Sequence, residues 1–85
     1  MKIVYTKHAK NKFEYAEELN WRLDEKDIKE AIENPDSHTT DQENGVEIVL
    51  KEFDARRNLR VIYAKSYGII TVITFYLVMK GRYEK

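Results

Sequence analysis

The sequence predicts an α+β fold: an N-terminal strand, two helices packed on one face of an antiparallel sheet, and a three-stranded C-terminal meander. Three observations predict it. Apolar residues between positions 9 and 32 recur with helical spacing, those between 46 and 78 follow strand patterns, and the links between the strand-like runs are short. The chain has 85 residues, enough for a single domain (1–85) with one modest core.

The elements follow in order. Ile3-Val4-Tyr5-Thr6 reads as a short first strand, and Thr6 or its neighbour caps a helix on which Ala9, Phe13 and Ala16 recur at i, i+4 and i+7 with Leu19 beside them. That pattern breaks at Asn20-Trp21-Arg22. Asp24 is a good N-cap for a second helix whose inward residues are Ile28, Ala31 and Ile32. Asn34-Pro35 ends it, because the residue before proline is pushed out of helical geometry. Positions 35–45 read as a polar loop with an Asn44-Gly45 turn signal.

Three strand-like runs come next. Residues 46–53 alternate Val46, Ile48 and Leu50 against Glu47, Val49 and Lys51, and residues 59–65 alternate Leu59, Val61 and Tyr63 against Arg60, Ile62 and Ala64. Residues 69–78 are apolar on both faces, as expected of a strand with neighbours on either side. The expected core contains Phe13, Ile28, Ile32, Val61, Val72 and Ile73. The first strand must pair with a later strand or remain an unprotected edge.

Composition excludes several functions. There is no cysteine, so disulfides and thiolate chemistry are absent. His8 and His38 stand thirty positions apart in no zinc pattern, and no metal or other cofactor is expected. No phosphate-cradling glycine motif occurs. The apolar run at 69–78 is too short and too rich in β-formers for a membrane helix, and the N-terminus lacks a signal-peptide core, so a cytoplasmic protein is expected. The second helix is acidic, which is wrong for a recognition helix.

Net charge is zero, but the charges are sorted along the chain. Residues 1–13 carry four lysines and no acid. Residues 14–54 carry fourteen acids against four bases, and residues 55–85 carry seven bases against Glu84 alone. If the two basic ends meet, they form one phosphate-attracting face on a neutral protein.

The residues on those ends suit metal-free RNA cleavage, in which the 2′-OH attacks the adjacent phosphate. Such a reaction needs a proton acceptor, cations for the phosphorane charge and a donor for the leaving oxygen. His8 supplies the proton-transfer group, Arg60 the fixed cation on a strand, Arg82 a second cation, and Tyr83 a donor or stacking ring. Lys7, Lys12, Arg57 and Lys80 are the candidate RNA-binding cations around them. The expected arrangement is a basic groove bounded by His8, Arg60 and Arg82 with Tyr83 at its rim. Each residue also has a purely structural reading: a helix-start histidine that caps or packs, an Arg60 paired with Glu47, an Arg82-Tyr83 tail. Six tyrosines and one tryptophan support the alternative of a non-catalytic interaction module or a homodimer, because these residues are favoured at contact centres.

The ordered set Tyr5-Thr6-Lys7-His8-Ala9, Ala31-Ile32-Glu33-Asn34-Pro35-Asp36, Leu59-Arg60-Val61-Ile62-Tyr63, Val72-Ile73-Thr74-Phe75-Tyr76 and Gly81-Arg82-Tyr83-Glu84 resembles domain-of-unknown-function family 4258. Those small prokaryotic proteins have an N-terminal HA pair, a helix ending in ENPD, and RVxY and VTxY strands. Lys12 stands near the position where that family often has an arginine, so a bidentate guanidinium contact is not available there. The layout is also similar, at the level of fold, to the BrnT and RelE toxins, small metal-independent ribonucleases of α+β fold neutralised by an antitoxin protein. That resemblance implies an antitoxin partner and RNA or the ribosome as target. By similarity it points to Arg60, Arg82 and Tyr83, with Lys80 beside them, while His8 comes from the HA pair.

Overall fold

The computed structural model describes residues 2–81. In chain order it contains β1 (Lys2–Tyr5), α1 (Lys7–Glu18), α2 (Glu25–Glu33), β2 (Ser37–Asp41), β3 (Val46–Glu52), β4 (Arg57–Ser66) and β5 (Ile69–Met79). The strands form one sheet in the order β1-β5-β4-β3-β2, antiparallel throughout except that β1 runs parallel to β5. Both helices pack on the same face. Ala9, Ile28, Ala31 and Ile32 share one buried cluster with Val49, Val61, Val72 and Phe75, and Phe13 stacks on Phe75 at 4.6 Å between ring centroids.

Local chemistry fixes the helix ends. Thr6 caps α1, its hydroxyl accepting from the Ala9 N–H at 3.1 Å. At the other end Asn20 takes the left-handed conformation (φ 60°). Its N–H donates to Glu17 and that of Trp21 to Ala16, the paired bonds of a Schellman stop. Asp24 opens α2 with a capping box, accepting from the Lys26 and Asp27 N–H groups while Asp27 accepts from its own.

The expected loop at 35–45 is a correction. Residues 37–41 form β2, paired antiparallel with β3 from Ser37↔Leu50 to Asp41↔Val46, and the Asn44-Gly45 signal closes a hairpin. Asp41 secures the turn by accepting from the Asn44 backbone and side chain. The extra strand also accounts for β1. If each link reverses the chain, seven elements leave the first and last pointing the same way, whereas six would have made β1 antiparallel to β5.

The core differs from expectation at two positions. Ile28, Ile32, Val61 and Val72 are buried, but Phe13 and Ile73 are only half-buried. Ile73 is the extra residue of a β-bulge: Ile62 pairs with Thr74 and Tyr63 with Val72, leaving Ile73 unopposed. The bulge changes which side chains face the helices, from Ile70 and Val72 before it to Phe75 and Leu77 after it. On β3 the inward residue is Val49, with Leu50 buried on the opposite face.

Candidate functional site

The sheet face away from the helices is lined by Ile48 and Leu50 on β3, Asn58, Arg60 and Ile62 on β4, and Thr74, Tyr76 and Val78 on β5, as the register requires. Leu50, Asn58 and Val78 are buried at one end of this face. Arg60, Ile62, Thr74 and Tyr76 remain partly accessible, and His8 at the near end is exposed.

β1 pairs with β5 only as far as Val72. Beyond that point α1 runs along β5 in place of a strand, so residues on one flank of α1 reach past the sheet edge. His8 and Lys12, one helical turn apart, lie on that flank. His8 Nε2 shares a hydrogen bond with Thr74 Oγ1 at 3.2 Å. Lys12 Nζ stands 5.5 Å from the Tyr76 ring centroid and 5.3 Å from that of Tyr15. The Arg60 guanidinium carbon lies 5.4 Å from the Tyr76 centroid, and Arg60 Nη1 donates to the Tyr76 hydroxyl. Tyr76 therefore has a lysine and an arginine against one ring, and the negative face of the ring favours both cations.

Thr6 holds this assembly together. Besides capping α1, its hydroxyl donates to the Ile73 carbonyl at 3.1 Å, and its N–H donates to the Val72 carbonyl. One side chain thus ties the helix start to the bulge and sets His8 beside Thr74. The bulge has a second effect. Counting back from the Ser66–Ile69 closure without it, Arg60 would oppose Phe75; with it, Arg60 opposes Tyr76.

The remaining sequence candidates fall elsewhere. Arg57 lies on the helix-side face, where Nε and Nη2 donate to Asp54 Oδ2 at 3.0 and 2.7 Å and the guanidinium sits over Phe53. The Arg57 hydrogen bonds, together with the Arg56 and Arg57 N–H groups, pull the Asp54 carboxyl from the usual 3.8 down to about 2. Lys80 follows Val78 on the open face and pairs with Glu52. Lys7 is exposed in the first turn of α1. Glu47, named as a structural partner for Arg60, is on the opposite face and binds His38 and Thr40, each at 2.7 Å. Those two bonds, Thr40 first, hold its carboxyl below the ordinary range. Arg82 and Tyr83, and with them the far wall of the expected groove, lie outside the described residues.

Thr74 and Tyr76 are the site residues that sequence reasoning missed as functional. Their polar tips, with that of Thr71, were legible in a mostly apolar strand, but the register that sets Tyr76 against Arg60 depends on a bulge with no glycine to announce it. Among the described residues no three His, Asp or Glu side chains gather as a metal site. Nor is any helix there long and apolar enough to cross a membrane.

Fold and site together define a small α+β domain with a histidine, a lysine, an arginine and a tyrosine brought from three segments onto the sheet face away from the helices. Compared with protein families, with curated proteins and with solved structures, the chain matches none.

Proposed function

We propose that the chain is a cytoplasmic, metal-independent endoribonuclease of the toxin type, acting on single-stranded or ribosome-bound RNA. The observation that carries the reading is the gathering of His8, Lys12 and Arg60 around Thr74 and Tyr76. The fold-level similarity to BrnT and RelE supports the toxin character and an antitoxin partner, while the resemblance to domain-of-unknown-function family 4258, which has no assigned activity, supports only the choice of His8 through its HA pair.

In the proposed reaction His8 accepts the proton of a ribose 2′-OH as its oxygen attacks the neighbouring phosphorus. The P–O5′ bond breaks, leaving a 2′,3′-cyclic phosphate and a 5′-hydroxyl. Arg60 and Lys12 offset the charge that develops on the phosphorane. Tyr76 offers a face on which a base stacks, a contact worth roughly 1–3 kcal/mol per base in single-strand binders. Tyr83 is assigned as donor to the leaving oxygen and Arg82 as a further phosphate contact.

The test is cleavage of single-stranded RNA and of ribosome-bound message in EDTA. His8→Ala is expected to lower the cleavage rate about 100-fold or more while RNA binding, read by fluorescence anisotropy, persists. Arg60→Ala should weaken both. Cleavage in neither setting would remove the enzymatic reading. It would favour the alternative of a non-catalytic interaction module or homo-oligomer, for which exposed Tyr15, Leu19, Tyr67 and Met79 offer apolar contacts.

A further inference from the structure

The opposite flank of α1 carries a second feature with the reverse charge. His8 and Lys12 face the open side of the sheet; Lys10, Glu14 and Glu17, displaced by about half a helical turn, face a groove between α1 and the link to α2. The groove is open to solvent, has a volume of about 810 Å³ and counts Tyr5, Phe13, Trp21 and Leu23 in its lining. This is within the size range of specific ligand clefts, roughly 300–1,000 Å³, and too large for a single ion.

Three properties define what fits. First, part of the lining is aromatic and prearranged. The Schellman stop at Asn20 fixes the backbone that presents Trp21, whose ring meets Tyr15 edge-on at 6.1 Å, and Tyr5 meets Phe13 edge-on at 5.5 Å. Second, the lining is acidic: Glu14, Glu17, Asp24 and Glu25 stand against Lys10 and Arg22. Third, these charges are not spent on one another. Asp24 caps α2, and Glu14, Glu17 and Glu25 form no ion pair among the described residues. The acid reaches the aromatic side chains as well, since burial and then Glu25 push the Tyr5 phenol up to about 12. An aromatic lining beside unpaired carboxylates attracts a cation that carries apolar surface.

We propose that this groove docks a cationic segment of a partner protein, in which lysine or arginine alternates with aliphatic side chains. Charge complementarity selects a cationic occupant over RNA, whose phosphates the carboxylates repel; a second copy docking through its own basic segments is the outcome that sedimentation reads. The inference stands apart from the ribonuclease reading, because the groove and the His8–Arg60 cluster share no residue.

Trp21 is the single tryptophan of the chain, so its fluorescence reports on the groove that it lines. The experiment titrates the full chain with a hexapeptide alternating leucine with lysine or arginine, and with its glutamate counterpart. The cationic peptide should give a saturable change in Trp21 emission that weakens with salt. Glu17→Lys and Glu14→Lys should each weaken it about fivefold, the size of a partly exposed charge pair (~1 kcal/mol). Glu17→Gln should act in the same direction, and circular dichroism of each variant verifies the fold. Arg60→Ala should leave peptide binding unchanged, which separates this result from the fate of the ribonuclease reading. Equal binding of the glutamate peptide, no effect of the Glu17 substitutions, saturation by spermidine at the same concentration, or sedimentation showing self-association through the groove would each overturn the proposal.

Discussion

Thr6 does more than its exposure suggests. Its hydroxyl accepts from Ala9 to begin α1 and donates to Ile73 to hold the bulge. Valine matches threonine in shape but offers neither bond. Thr6→Val should therefore lose the cap, about 0.5–2 kcal/mol, read as a lower urea midpoint at unchanged slope. It should also loosen the contact between His8 and Thr74, seen as altered imidazole chemical shifts. An unchanged midpoint would mean that the β1–β5 pairing alone positions the helix start. At this scale the sequence was partly legible. Thr6 and Asp24 were readable as caps because short polar side chains before an apolar periodic run satisfy free N–H groups. Tyr76 was not, because its partner follows from a register shift and no residue type at Ile73 marks one.

The β4–β5 hairpin shows how an element tolerates a poor local choice. Ser66 pairs with Ile69, leaving Tyr67 and Gly68 as a two-residue turn with positive φ at both positions, 51° and 77°. That geometry matches the twist of the strands and favours Asn-Gly. Tyr67 is fully exposed, so its ring contributes no burial against the cost of a left-handed conformation. Tyr67→Asn should raise stability by about 0.5–1 kcal/mol, measured as a higher thermal midpoint; a fall would show that the tyrosine makes a contact in solution worth more than its backbone cost. The neighbouring hairpin was misread for a related reason. β2 is Ser-His-Thr-Thr-Asp, an edge strand without one large apolar residue, so period-two alternation carries no signal in it. It is held instead by backbone pairing and by the His38–Glu47–Thr40 bonds. Omitting it also hid the parallel β1–β5 pairing, since the number of reversals sets the direction of the last strand.

Over the whole molecule, the first strand joins the last. β1 lies beside β5, so the basic N-terminal segment meets a strand of the basic C-terminal stretch, although Arg57 falls on the helix side and Lys10 in the groove beside Glu14 and Glu17. The meeting of the ends was legible from the need to cover an edge strand; the groove at Trp21 was not, because it forms where β1 and α1 meet a stretch that looked only like a break between helices. If RNA uses the open face, its affinity should carry a countable electrostatic signature. Each phosphate contact on a single strand releases about 0.7 counterions, so the slope of log affinity against log salt falls by about that amount per cation removed. Arg60→Ala and Lys12→Ala should each flatten the slope by about 0.7, and the double variant by their sum if the two cations hold different phosphates. Lys26→Ala, on the exposed side of α2, should lower affinity little and leave the slope unchanged. A double variant no flatter than either single would mean that Arg60 and Lys12 grip one phosphate beside Tyr76. Equal flattening by Lys26→Ala would mean that RNA meets a diffuse field and that the open face is not its site.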